Sequence, residues 1–409
     1  MNSKNSIYSE GSIIAIADTH LGLKERITFK IFKNTVSCEP DHLLKFIHWI
    51  KRLEKEDKYV NIEGNKNKKF QRKLTKPEFL IFLGDIVELW DAYDKAVNIC
   101  STSISRSISE LKCKKIYIIG NHDYANQEIK GEYPFGESSL EILPETFPEQ
   151  NSETSELITM KKGDNNFLFT HGHLFNWTFR NLRKPSMIMS YIRDGAEAFG
   201  WYSWILLLGF LFIPSIMKIL SISNMLWVDD SIFYLTLIIL GLLSVPRIIT
   251  SIARPIWNRC HKPRYDREEA LNGFIGWWNR FSKDKIIENT SVNVVYGHTH
   301  LLDILHYSKA LKILRKHPQK EDILLINIPA WVTDSAEKYK RIFNEVFLYI
   351  DDEGFELFGW DNEKGEPYHI PRWAAEKIGD KEILEPQEVE TMEKLGLPSQ
   401  FEIKLIKKK

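Results

Sequence analysis

Five short apolar runs, none of them alternating, each stop at a cluster of polar side chains. SIIAIA at 12–17 runs into Asp18-Thr19-His20, EFLIFLG at 78–84 into Asp85, and KIYIIG at 115–120 into Asn121-His122-Asp123. NFLFT at 166–170 runs into His171-Gly172-His173, and VNVVYG at 292–297 into His298-Thr299-His300. Runs this short, aliphatic and without a polar face predict strands buried on both sides. Ligands of open α/β sheets bind at the carboxyl ends of such strands, where all five clusters fall. Two further runs, 322–332 and 345–350, predict strands, and Asp351-Asp352-Glu353-Gly354 predicts a hairpin turn into FELFGW at 355–360. A helical pattern covers 41–53, with Asp41 as its N-cap. From 361 to 409 the chain is polar and reads as a peripheral tail ending in Lys407-Lys408-Lys409.

The pattern breaks between the fourth and fifth runs. Residues 198–246 carry only Lys218, Asp229 and Asp230 as charges, in a chain whose charged fraction is 27%. As a helix, 199–222 would be about 36 Å long, against a bilayer core of about 30 Å. The second stretch, 231–252, is free of charge only up to Pro246, about 24 Å of helix. Gly209 and Pro214 recur at the same spacing as Gly241 and Pro246, and Trp201, Tyr202, Trp204 and Trp227 sit where interfacial aromatics belong. The polar clusters lie on both sides of this insertion, so any crossings must be even in number. Arg180, Arg183, Lys184 and Arg193 precede the pair, and Arg247, Arg254, Arg259, Lys262 and Arg264 follow it. The positive-inside rule then puts the main domain in the cytoplasm. A transmembrane hairpin is preferred, with a monotopic hairpin and an apolar soluble cap as alternatives.

Charge and cysteine usage narrow the rest. Lys and Arg total 55, as do Asp and Glu, so no overall basic field draws nucleic acid and no specific nucleic-acid partner is expected. Cys38, Cys100, Cys113 and Cys260 form no C-x-x-C pair and read as reduced thiols. The N-terminus lacks the apolar core of a secretory signal. Residues 51–76 hold ten Lys or Arg against four Asp or Glu, which reads as a solvated surface loop or as a patch facing anionic headgroups.

One of these clusters alone would mean little. Together D-x-H, G-D, G-N-H-D, H and G-H-x-H, in this order at strand ends, resemble the calcineurin-like metallophosphoesterases over residues 12–190 and 290–360. The resemblance implies a four-layer α/β/β/α sandwich with two divalent cations. One would take Asp18, His20, Asp85 and His300; the other would take Asp85, Asn121, His171 and His298. Two cations a few ångströms apart neutralise a phosphoryl group, acidify a water and align its attack. Imidazole, carboxylate and amide donors without thiolate favour Mn²⁺ or Fe²⁺, with Zn²⁺ the alternative. His122 follows a ligand and would face the scissile phosphate, stabilising charge or protonating the leaving oxygen. Glu88 matches an acidic position that orients this histidine in related phosphatases, with Asp123 the alternative partner. His173 reads as a phosphate-contacting or supporting residue; a swapped ligand for His171 and a purely structural residue are the other readings. Gly84–Trp90 lacks the arginine of protein Ser/Thr phosphatases and looks like the UDP-2,3-diacylglucosamine pyrophosphatase branch. That branch often reads G-N-R-D where this chain has Gly120-Asn121-His122-Asp123.

The expected organisation is a metallophosphoesterase domain at 12–190 and 291–360, a helical insertion at 191–290 with a membrane-inserted hairpin, and a tail at 361–409. The expected function is dinuclear-metal hydrolysis of a phosphoester or pyrophosphate bond in a membrane lipid or nucleotide-linked lipid. The rivals are a membrane-tethered nucleotide or nucleic-acid phosphodiesterase and a non-catalytic binding module on the same fold. The expected partners are that phosphorylated substrate and the bilayer; the oligomeric state stays open.

Overall fold

The computed structural model describes residues 6–21, 40–63, 69–86, 94–123, 130–150, 157–175, 267–282, 291–300, 302–313, 322–331 and 345–380. The chain divides into two units, Met1–Trp177 with Pro263–Lys409, and Thr178–Lys262. The second unit, which contains 199–222 and 231–252, lies outside the described residues. No helix among the described residues is long and apolar enough to cross a membrane.

The first unit is built on two mixed sheets. One contains β1 (Ser6–Tyr8), β9 (Thr146–Phe147), β10 (Thr159–Lys162), β11 (Asn165–Thr170), β12 (Val292–Tyr296), β13 (Asp303–His306) and β14 (Ile323–Asn327). Its order is β1-β10-β11-β12-β14-β13, with β9 also on β11. The other contains β2 (Ser12–Ile16), β5 (Pro77–Phe82), β6 (Lys114–Ile118), β7 (Gly131–Phe135), β8 (Ser138–Leu143), β15 (Val346–Asp351), β16 (Gly354–Asp361) and β17 (Glu366–Ile370). Its order is β17-β16-β15-β2-β5-β6-β8-β7. Within these, β2, β5 and β6 run parallel to one another, as do β11, β12 and β14.

The non-alternating runs now have their reason. Ile13 and Ala15 of β2 face a core shared with Phe167, Phe169, Val295 and Ile326 of the opposite sheet. Ile14 and Ile16 face outward onto helix α1 (Pro40–Leu53) and helix α2 (Asp94–Ser109), through Phe46, Ile47, Ile50, Ile104 and Ile108. On the far side, Leu168, Val294 and Leu325 are covered by helix α3 (Arg267–Phe281), through Leu271, Phe274 and Trp278, and by Leu311 of helix α4 (Tyr307–Ile313). A sheet covered on both faces has no polar side to present, so its strands are apolar throughout. The layers are helix, sheet, sheet, helix.

Three local expectations change. Helix α1 begins at Pro40, so Asp41 lies inside the first turn instead of at the cap. Its carboxylate still complements the helix dipole there. Residues 51–76 are no plain loop: β3 (Lys58–Glu63) and β4 (Lys69–Leu74) pair as an antiparallel ribbon. Val60, Ile62, Arg72 and Leu74 alternate onto its inner face, the period of two that a half-buried strand needs. Several of its cations are also spoken for. Lys58 pairs with Glu56, Lys73 with Asp57, Lys51 with Glu110, and Arg72 with both Asp351 and Glu353. Finally, the segment after 361 is not all tail. β17 adds to β16, and helix α5 (Arg372–Asp380) sends Ala374 and Ala375 into the inter-sheet core. Two alanines and one apolar strand end suffice to dock a segment whose composition is polar, because only one face has to be buried. Residues 381–409 lie outside the described part.

Candidate metal centre

The loops after β2, β5, β6, β11 and β12 converge, and their backbones are tied together. Asp18 N–H donates to the Gly84 carbonyl at 3.2 Å, His20 N–H to Asp85 at 2.8 Å, and Gly297 N–H to His171 at 3.1 Å. Trp331 N–H, just beyond β14, donates to the Asp18 carbonyl at 3.1 Å. Five residues here hold left-handed backbone: Asp18 (φ 49°), His20 (44°), Asp85 (49°), His298 (64°) and His300 (56°). The one other such non-glycine among the described residues is Glu345. Left-handed backbone is unfavourable for side chains of this kind and persists where surroundings over-determine it. Here it turns Asp18 and His20 after β2, Asp85 after β5, and His298 and His300 after β12 inward.

The motif glycines are explained by crowding. A Cβ on Gly120 would sit 2.1 Å from Asp85 Oδ1, and one on Gly297 would sit 2.7 Å from Asp18 Oδ2. The carboxylates occupy the space a side chain would need.

The side chains form three overlapping groups: Asp18, His20 and His300; Asp85, His171 and His298; and His20, Asp85 and His122. In each, one donor atom per residue lies within 4.8 Å of the others. Asp85 belongs to two of them. His171 Nδ1 faces the Leu83 carbonyl at 2.5 Å. As an imidazolium it donates Nδ1–H to that carbonyl and Nε2–H toward Asn121 Oδ1 at 3.1 Å and Asp85 Oδ2 at 3.2 Å. Asp85 Oδ1 accepts the His122 N–H at 2.7 Å, and Asp18 Oδ2 accepts the His298 N–H at 2.8 Å. His20 Nε2 and His300 Nε2 lie 3.4 Å apart. The structure therefore brings Asp18, His20, Asp85, Asn121, His122, His171, His298 and His300 together. His173 lies beside them, its ring 5.3 Å from that of His171, and belongs to none of the three groups. Glu88 lies outside the described residues. Asp123 is fully buried, and its Oδ2 accepts the Gly120 N–H at 3.1 Å and the Ile86 N–H at 3.3 Å. It thus clamps the loop of Asn121 and His122 to the loop of Asp85, a role the motif does not disclose. Trp331 acts through a backbone N–H that any residue type except proline supplies, so no sequence signal marks it.

The charge balance fits cations. Two carboxylates are buried with imidazole nitrogens facing them, and an amide oxygen faces the His171 imidazole. Asp18 Oδ1 is buried and accepts no hydrogen bond. Burial opposes the charged form of Asp85, yet His171 and His122 outweigh it and hold the carboxyl well below its ordinary range. Burial pushes Asp18 up to about 6, opposed by His171 and reinforced by Asp85. Burial disfavours an imidazolium at His171, but Asp85 and Asp18 prevail and raise it to about 9. Burial, with His171 beside it, drives His298 down to about 3. A site that traps a proton between carboxylates in this way offers a divalent cation the same attraction at double charge.

A family model described as calcineurin-like phosphoesterase matches residues 11–302. The chain belongs to this family. It is accordingly a metal-dependent phosphoesterase, and the groups above are its candidate ligands. Among solved structures, the crystal structure of the cold-active protein-tyrosine phosphatase of a psychrophile, Shewanella sp., is similar at 12% identity. The match covers 90% of this chain and 82% of that one, with a TM-score of 0.30. No curated protein matches the chain.

Two outcomes follow for the phosphoesterase. Gly120→Ala pushes a methyl group into the Asp85 carboxylate and should lower bound metal per chain, measured by elemental analysis against wild type. An unchanged content would mean the loop yields where the packing says it cannot. Metal uptake should also release protons. His171 holds its proton up to about pH 9 in the metal-free protein, and Asp18 gains one below about pH 6. Bound cation displaces these protons, so affinity rises with pH and levels off above about 9. Calorimetry in buffers of different ionisation enthalpy reads the protons directly; affinity independent of pH across this range would contradict the balance described.

Proposed function

We propose that the phosphoesterase hydrolyses a phosphoester or pyrophosphate bond of a membrane lipid or nucleotide-linked lipid, with its catalytic unit on the cytoplasmic face of a membrane. The observation that carries the lipid reading is the apolar insertion, with 198–246 holding three charges between two halves of one catalytic unit. The G-D-x-x-E-x-W form at 84–90, similar to the UDP-2,3-diacylglucosamine pyrophosphatase branch, supports it. The insertion would enter the bilayer as a hairpin and bring the site to the headgroups.

Asp18, His20, Asp85 and His300 would hold one cation, and Asp85, Asn121, His171 and His298 the other, with Asp85 common to both. Mn²⁺ or Fe²⁺ suits these donors, Zn²⁺ being the alternative. Two bound cations would supply charge neutralisation of the phosphoryl group and a nucleophilic water at neutral pH. His122 is only half-buried and has its backbone anchored on Asp85 Oδ1. Its imidazolium would give a proton to the leaving oxygen as the bond from phosphorus to that oxygen breaks and the water oxygen bonds to phosphorus. The water's proton leaves to solvent, which restores the balance.

The two roles separate experimentally. Asp85→Ala should lose both metal and turnover. His122→Ala should keep metal and lose about 10²–10⁴ in rate, the scale of acid–base assistance. Equal metal loss in both variants would make His122 a ligand. The substrate class is tested on detergent-purified full-length protein. Lifting a lipid's tails into water costs about 0.8 kcal/mol per CH₂, which an insertion embedded in the bilayer would avoid. kcat/KM should be far higher on a lipid phosphoester or pyrophosphate than on its soluble headgroup. Faster cleavage of soluble nucleotides would assign the enzyme to a tethered phosphodiesterase instead.

A further inference from the structure

The loop that carries His298 and His300 is an improbable one. Both histidines hold left-handed backbone, and Thr299 between them folds its N–H back onto the Gly297 carbonyl at 2.7 Å. Gly297 and His298 are fixed at the near end by hydrogen bonds to His171 and Asp18. The far end needs its own restraint. Thr299 is buried, and its Oγ1 accepts a hydrogen bond from Asn327 Nδ2. Asn327 is well placed to be immobile. It is the last residue of β14, opposite Tyr296 on β12 and opposite Asp303 on β13. The next residue, Ile328, donates its N–H to the Tyr296 carbonyl at 2.8 Å.

We propose that Asn327 is a positioning residue of the metal centre, holding His298 and His300 in their inward geometry through the Thr299 hydroxyl. The proposal rests on the reading of those histidines as metal ligands. A second observation favours this role over simple stabilisation of the sheet. Asn327 Oδ1 is buried with no hydrogen-bond partner among the described residues. An unsatisfied buried acceptor costs stability, and an apolar residue at this strand end would avoid that cost. The asparagine therefore adds little to the core, whereas its Nδ2 serves the histidine loop. Thr299 is the variable position of G-H-x-H, and Asn327 lies outside the motif.

Manganese titration of the metal-free full-length protein, with melting temperatures of the same samples, tests this. Thr299→Val removes the hydroxyl while keeping the shape. It should weaken Mn²⁺ binding by about 10–100-fold, the usual effect of losing a group that orients a ligand. Thr299→Ser restores the hydroxyl and should restore the affinity. Asn327→Ala should match Thr299→Val, and the double variant should be no weaker than either single one, because both cut the same link. Unchanged Mn²⁺ affinity in Thr299→Val, with or without a lower melting temperature, overturns the proposal, as do losses that add in the double variant. Wild-type protein that binds no Mn²⁺, Fe²⁺ or Zn²⁺ overturns the ligand reading beneath it, a different failure read from a different sample.

Discussion

The structure is organised around two carboxylates, Asp18 and Asp85, buried where water cannot screen them. Burial of a charge is costly unless it is paired. His171 answers both: its Nε2 lies 3.2 Å from Asp85 Oδ2 and its Nδ1 lies 3.5 Å from Asp18 Oδ1. One imidazolium against two carboxylates leaves a net negative charge and an oxygen on Asp18 without a hydrogen bond. That imbalance defines the site. It disfavours the metal-free state and makes room for positive charge, and it explains why the surrounding imidazoles are held close enough to act as ligands.

Holding that arrangement requires the sandwich. Each left-handed residue costs about 1–3 kcal/mol, so five of them together rival the roughly 5–15 kcal/mol net stability of a whole domain. Such a cluster survives only if every loop starts from a rigid strand and is tied to its neighbours. β2, β5 and β6 in one sheet, and β11 and β12 in the other, end at the site with their inner faces locked in one core. The cross-loop bonds from Asp18 to Gly84, from His20 to Asp85 and from Gly297 to His171 then leave the loops little freedom to relax. Asp123 adds a carboxylate that accepts N–H groups from two loops at once. Stability is concentrated in the layers, and strain is concentrated where the candidate ligands are.

The basic segment at 51–76 shows how a one-dimensional charge count misleads. Ten cations against four anions leave open a solvated loop or a patch facing anionic headgroups. In the fold, Arg72 points inward to Asp351 and Glu353, which lie far along the chain, and Lys51 meets Glu110. The acids that neutralise these cations come from other elements, so the local excess of charge is not the excess at the surface.

The amino-acid order alone determined the strands that carry the site and the chemistry of the site itself. A strand buried on both faces needs an unbroken apolar run, and a dinuclear centre needs carboxylate, imidazole and amide donors at strand ends; both requirements leave a local, readable trace. Tertiary structure decided what depends on partners distant in the chain. Residues 366–380 dock as a strand and a helix because β16 offers an open edge and the core accepts Ala374 and Ala375, which a polar composition conceals. Asp123 became a clamp between loops, and Asn327 and Trp331 became supports, through contacts to Gly120 and Ile86, to Thr299 and to Asp18. Two of those contacts use backbone N–H groups, which every residue but proline has, and the third joins an asparagine and a threonine 28 residues apart with no motif between them. Candidate metal ligands are legible because their chemistry is rare; the groups that hold them in place are ordinary, and only their positions in space make them matter.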